Sequence, residues 1–189
     1  MWVNVRFIGG GDKPLSELGR YGEKEDSLNR HGVKGQRDQV VRLKAPTLLD
    51  PESTRVYECK PGISKEQGAK YGKADGPSFH FILNDIITKD NRIPPRGFGK
   101  DAFKVHLATP VGATYADGQY WDELEFDIPS GAERVEVRVM YQSVSWEYLK
   151  FLVEENQTNS WGNQLYDAWE ATGKCPPEEI AYIAKNVQP

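Results

Sequence analysis

The stretch Glu123-Leu124-Glu125-Phe126-Asp127-Ile128-Pro129-Ser130-Gly131-Ala132-Glu133-Arg134-Val135-Glu136-Val137-Arg138-Val139-Met140-Tyr141 decides the fold class. Leu124, Phe126 and Ile128 alternate with Glu123, Glu125 and Asp127, which is the period of a half-buried strand with an acidic outer face. Pro129-Ser130-Gly131 turns the chain. Val135, Val137, Val139 and Tyr141 then alternate with Glu136, Arg138 and Met140. Two alternating runs across a short turn predict a β-hairpin.

Downstream the period changes from 2 to 3.6. Tyr148, Leu149 and Leu152 share one face of a helix over 145–155, with Ser145 as N-cap. Leu165 and Trp169 stand i,i+4 in a second helix over 161–172, stopped by Gly173. Pro176-Pro177 opens a third, with Ile180, Ile183 and Val187 on its stripe. Upstream, the signals are of strands and turns. Val3, Val5 and Phe7 alternate with Asn4 and Arg6, and Gly9-Gly10-Gly11-Asp12 turns the chain without the spacing of a phosphate cradle. Residues 12–38 are polar and poorly periodic, and are expected to form a long surface loop. Strands are expected over 39–43, 54–59 and 77–88, the last with Phe79, Phe81 and Leu83 alternating with Ser78, His80 and Ile82. Ser64-Lys65-Glu66-Gln67 fits a capping box for a short helix over 65–71, stopped by Gly72.

Strands first and helices last predict a mainly β, α+β chain: an antiparallel β-sandwich over 1–144 with a long loop at 12–38, and C-terminal helices over 145–189 packed on it or on a partner. The 189 residues suit one domain, which buries roughly 70% of its unfolded surface without help from metal or disulfide. Twenty-four Lys and Arg against 28 Asp and Glu give a net charge of −4, so the chain as a whole lacks the basic field of a nucleic-acid binder. No apolar run approaches the roughly 20 residues of a membrane-spanning helix. The N-terminal residues carry no signal-peptide pattern, and a chain that begins in a strand is expected to be a mature fragment or a piece of a larger polypeptide or assembly. The two cysteines, Cys59 and Cys175, form no C-x-x-C-H or zinc spacing. They are either one disulfide or two thiols.

Several stretches carry a resemblance: Gly76-Pro77-Ser78-Phe79-His80-Phe81-Ile82-Leu83-Asn84, Asp90-Asn91-Arg92-Ile93-Pro94-Pro95-Arg96-Gly97-Phe98, Tyr115-Ala116-Asp117-Gly118-Gln119-Tyr120-Trp121-Asp122 and the run Tyr141–Leu152, with Glu155-Asn156 and Thr158-Asn159 after it. In this order, over about residues 54–173, they resemble the β-rich, haem-free C-terminal region of bacterial multihaem c-type cytochrome family proteins. The 90–98 stretch is the most specific part. The resemblance implies an exported, periplasmic or extracellular protein in electron-transfer company. It places haem c in a partner chain or a missing haem region, since this chain has no haem-attachment motif.

Asp90, Asn91, Arg92, Pro94, Pro95 and Arg96 form a turn stiffened by its prolines, and Trp121 beside the Asp-Gly turn is the best exposed aromatic. His80 is a candidate contact for a partner's haem, or else a hydrogen-bonded sheet histidine. Asn84, Asp85, Asp90 and Asn91 offer hard oxygens for Ca²⁺, or else bond their own turn backbone. Glu123, Glu125 and Asp127 share a strand face at spacings that nominally fit a glycosidase pair, and also fit a solvated face. Asn156-Gln157-Thr158 matches a glycosylation sequon. The expected function is a non-catalytic subunit or domain that docks and scaffolds a multihaem cytochrome electron-transfer assembly, using the 12–38 loop, the stiff turn and the C-terminal helices. The alternative is a carbohydrate-binding sandwich module using surface Trp and Tyr.

Overall fold

The computed structural model describes residues 1–32 and 37–187. In chain order the elements are β1 (Trp2–Gly9), β2 (Lys13–Leu18), β3 (Tyr21–Arg30), β4 (Gln39–Leu48), β5 (Cys59–Ile63), α1 (Lys65–Tyr71), β6 (Gly76–Pro77), β7 (Ile86–Asp90), α2 (Lys100–Val105), β8 (Ala132–Tyr141), α3 (Trp146–Glu154), α4 (Trp161–Ala171) and β9 (Glu178–Asn186). The chain is a strand-rich α+β protein whose sheets are antiparallel. It forms two compact units that do not follow the expected boundary at residue 144. One comprises Met1–Val56 with Asp127–Pro189, the other Tyr57–Phe126.

In the first unit, β2, β1, β8 and β9 make a four-stranded sheet in that order, and β3 and β4 make a two-stranded ribbon. β1 is the most buried strand, with Val5 and Phe7 almost wholly enclosed. Helices α3 and α4 cover the ribbon. Leu28 of β3 and Ala45 of β4 join Trp146, Leu149, Val153, Tyr166 and Trp169 in one core cluster. Both helices were legible in the sequence, though their buried faces are shifted: Leu165 is exposed, and Tyr166 and Trp169 point inward. Ser145 caps α3 by accepting from the Tyr148 amide at 3.3 Å.

The expected 12–38 loop is instead β2 and β3 over most of its length; residues 33–36 lie outside the described residues. Glu23, Lys24 and Glu25 are exposed, the half-buried Asp26 and Arg30 bond to the helices, and Leu28 is the one fully buried residue of β3. Pairing with β4 under the helices supplies what periodicity did not show. The expected 123–128 hairpin arm also fails. β8 forms as expected but pairs with β1 and β9, while 119–129 joins no ladder. β1 brings five buried apolar residues to β8, Trp2, Val3, Val5, Phe7 and Ile8, where the arm has three apolar residues and three acidic ones.

The expected third C-terminal helix is the strand β9. Its register with β8 shifts between Val139 and Met140, where Ile180 is an extra residue. A bulge interrupts the two-residue period, and the resulting Ile180–Ile183 spacing of three imitates a helix.

In the second unit, β5 lies between β6 and β7. The expected 54–59 strand shrinks to an isolated Val56 bridge to Trp2, which belongs to the first unit. β5 starts where that strand was expected to end. Pro61 is tolerated inside it because the register shifts between Lys60 and Pro61. The expected 77–88 strand is split into β6 and β7 around a turn, in which the Phe79 carbonyl accepts from the Phe81 amide at 2.9 Å and the His80 carbonyl from the Leu83 amide at 2.8 Å. Ile82 is 95% exposed there, so its alternation with Phe81 and Leu83 marks no buried face. α1 forms as read, with the Ser64 hydroxyl accepting from Gln67 N at 3.2 Å and Gly72 closing it at φ 64. α2 had no sequence expectation.

Candidate functional site

The 90–98 turn starts from Asp90 at the end of β7. Asp90 exchanges two backbone hydrogen bonds with Val111, at 2.7 and 2.9 Å. Its carboxylate accepts a two-pronged contact from Arg92, Nε at 2.8 Å and Nη2 at 2.7 Å. That side-on hydrogen bonding holds the Asp90 carboxyl below the ordinary carboxylate range against the opposing effect of burial.

Asn91 is 2% exposed and works as a fastener. Its Oδ1 accepts from the Glu58 amide at 2.9 Å, and its carbonyl accepts from the buried Tyr115 hydroxyl at 2.8 Å. Pro94 is buried and Pro95 exposed; the Pro95 carbonyl accepts from Phe98 N at 3.1 Å and closes the turn. Gly118, at φ 79, donates its N–H to the Phe98 carbonyl at 2.7 Å. The two stretches 90–98 and 115–121 therefore meet in space, about 20 residues apart in sequence.

Their meeting builds a platform. The Arg96 guanidinium lies 4.8 Å from the centre of the Tyr120 ring. The Tyr120 ring meets Trp121 edge-to-face at 5.3 Å and 90°. Trp121 is 49% exposed and Tyr120 is similarly open. Gln119 pins the base, accepting from Ala116 N at 2.8 Å and donating to the Trp121 carbonyl at 3.0 Å. Beneath, Tyr57 donates its hydroxyl to Asp122 at 2.9 Å. A delocalised cation stacked on one exposed aromatic and flanked by another suits an apolar, hydrogen-bonding contact surface. Arg96 and Trp121 were singled out by sequence. Tyr120, which joins them, was legible only as one aromatic in a series.

Asp85 accepts from the Ser64 amide and hydroxyl at 2.7 and 2.6 Å, and those bonds hold its carboxyl low. Asn84 donates to the Ser78 carbonyl at 2.8 Å, while its buried Oδ1 has no hydrogen-bond partner among the described residues. Asp90 is engaged by Arg92. The four proposed calcium residues thus have different partners, and among the described residues no group of three or more His, Cys, Asp and Glu is placed to hold a metal ion. His80 sits half-buried in the 78–85 turn, its amide donating to the Ser78 hydroxyl at 3.0 Å. Glu123, Glu125 and Asp127 are exposed, alternating with half-buried neighbours outside any strand ladder. Cys59 and Cys175 are free thiols. No helix among the described residues is long and apolar enough to cross a membrane.

The first unit carries a second feature that sequence reasoning missed. Glu136, 8% exposed, is met by Arg138 at 2.9 Å, Arg134 at 3.1 Å and Arg6 at 3.7 Å. Hydrogen bonding from Arg138 comes first in holding its carboxyl down. A groove of about 250 Å³ beside this network is lined by Trp2, Asn4, Arg6, Glu17, Tyr21 and Arg138, among others. The signal was present in the sequence: Arg134, Glu136 and Arg138 stand two apart and so share one face of β8. The groove's aromatics are already engaged, since Trp2 stacks on Tyr21 at 5.8 Å and donates to the Gly19 carbonyl at 3.0 Å.

No family model, curated protein or solved structure matches the chain.

Proposed function

We propose that this chain is a non-catalytic docking and scaffolding subunit or domain of an extracytoplasmic multihaem c-type cytochrome electron-transfer assembly. Haem c belongs to the partner chain or to a haem region outside this sequence. The observation that carries the docking role is the platform of Arg96, Tyr120 and Trp121. Arginine, tyrosine and tryptophan are the side chains that dominate interface energetics. Here they are exposed together on loops locked by Asn91, Pro94 and Gly118, so little entropy is lost when a partner covers them. The cytochrome context rests on the residue resemblance over 54–173. In the same reading the four-stranded sheet is one layer of a β-sandwich, because β1 is buried on both of its faces.

The test is capture by the tagged chain from its native source, with the captured protein stained for covalent haem. A haem protein retained by the wild type, and lost with Arg96→Ala and Trp121→Ala at about 2 kcal/mol each, is the expected result. A chain that stays alone, or that captures only haem-free proteins, overturns the proposal. The edge-to-face Tyr120 and Trp121 pair also favours a second reading, a carbohydrate-binding module. Retention on polysaccharide that Trp121→Ala abolishes would establish that reading in its place.

A further inference from the structure

β9 is an end strand of its sheet, and all nine residues of Glu178–Asn186 are exposed. One side pairs with β8. The Val187 N–H donates to the Glu133 carbonyl at 2.8 Å. Backbone groups alternate in direction along a strand, so Lys185, Ile183 and Ala181 also face β8. Tyr182, Ala184 and Asn186 therefore present their N–H and C=O groups outward, along an edge that pairs with no strand among the described residues. Val5, Val137 and Ile183 lie in one row across the sheet. Exposure rises along that row from 1% at Val5, through half-buried Val137, to 51% at Ile183. A long open edge with exposed apolar side chains is a template for another strand.

We infer that the occupant of this edge is β9 of a second copy, paired antiparallel about a two-fold axis at Tyr182. The strand is self-complementary. Its N-terminal end is acidic, Glu178 and Glu179, and its C-terminal end carries Lys185. An antiparallel pair sets each acidic end against the other copy's Lys185. The bulge at Ile180 makes the register work. Lys185 pairs with Val135, and Glu178 pairs with Tyr141. Val135 and Tyr141 lie on the same face of β8, so Lys185 and Glu178 share a face although seven residues apart.

With Ile180 skipped, the axis places Tyr182 opposite Tyr182 of the second copy. Ile183 then faces Ala181, Ala184 faces Glu179, and Lys185 faces Glu178. Tyr182 and Ala184 are the residues whose backbone groups point outward, as hydrogen-bonded pairs require. Every contact occurs twice, which is the form of an isologous interface. The result is a continuous eight-stranded sheet.

Sedimentation equilibrium of the full chain over a concentration series tests this. The wild type is expected to dimerise. Ala184→Pro removes an outward N–H but no β8–β9 bond, and should raise the dimer dissociation constant at least about tenfold with the thermal midpoint retained. Glu178→Lys and Lys185→Glu should each weaken the dimer about tenfold, and their combination should restore it to within about threefold. A chain that stays monomeric overturns the inference. So does a dimer that both Ala184→Pro and the single reversals leave intact, or one that the charge swap fails to restore. Failure here leaves haem-protein capture, which is read through Arg96 and Trp121, unaffected.

Discussion

The indole Nε1 of Trp146 donates to the Asp26 carboxylate at 2.7 Å. This bond ties the first residue of α3 to the middle of β3, 120 positions earlier in the chain. Lys150, one turn further along α3, reaches the other carboxylate oxygen at 2.8 Å. A segment without apparent periodicity is in this way anchored to the helical core.

Asp26 sets a pH dependence. Burial pushes its carboxyl up, but hydrogen bonds from Lys150, Trp146 and the Ser27 amide outweigh burial and bring it from 3.8 to about 2. A lowered folded value means stability that is present above the unfolded value and lost as pH falls through the folded one. Asp26→Asn should cost about 1 kcal/mol at neutral pH, after screening at this partly exposed site. The difference from wild type should vanish between about pH 4 and pH 2, as read by urea unfolding of both proteins across that range.

Leu28→Ala distinguishes a strand from a loop. Leu28 is fully buried in the cluster with Leu149 and Trp169. Its truncation should cost about 3 kcal/mol, equal within error to Leu149→Ala. A surface loop residue would cost almost nothing. Chemical denaturation of the two variants gives the comparison.

Asn91→Ala should cost about 2 kcal/mol, because it strands the Glu58 amide that its Oδ1 satisfies. Asn91→Asp keeps an acceptor and should lose less. Tyr115→Phe removes the other fastening and should cost about 1 kcal/mol. Proteolysis within 90–98, followed by mass spectrometry, should accelerate in the same order.

Gly19 joins β2 to β3 at φ 64, and a Cβ there would run into the Val3 carbonyl oxygen and Thr54. Gly19→Ala combines left-handed strain with a backbone clash and should cost at least about 2 kcal/mol. Thermal unfolding checks it, with Gly11→Ala as the control, since Gly11 has a similar φ but open space around it.

Parts of the candidate site were legible because their signals are local. The prolines of 94–95 and the Asp-Gly pair at 117–118 announced turns, and Arg96 and Trp121 stood beside them. That the two turns meet, through Tyr115 on Asn91 and Gly118 on Phe98, was not legible. Those contacts join residues 20 to 24 apart, and no periodicity encodes them. The Glu136 network was half legible. Its residues share a face by spacing, but the arrival of Arg6 from β1 depends on which strand β8 chose as neighbour.

The sequence by itself determined what hydrogen bonding and sterics settle within a few residues. Ser64 and Ser145 start helices, Gly72 and Gly173 end them, and β8 alternates. Tertiary structure decided the pairings. β8 had an adjacent acidic arm at 123–128 and a distant apolar strand at 2–9, and it paired with the distant one because that buries more apolar surface. β9 had the spacing of a helix, and its pairing with β8 across a bulge overrode that spacing. In both cases a local pattern was compatible with more than one state, and burial against a partner far away in the chain selected between them.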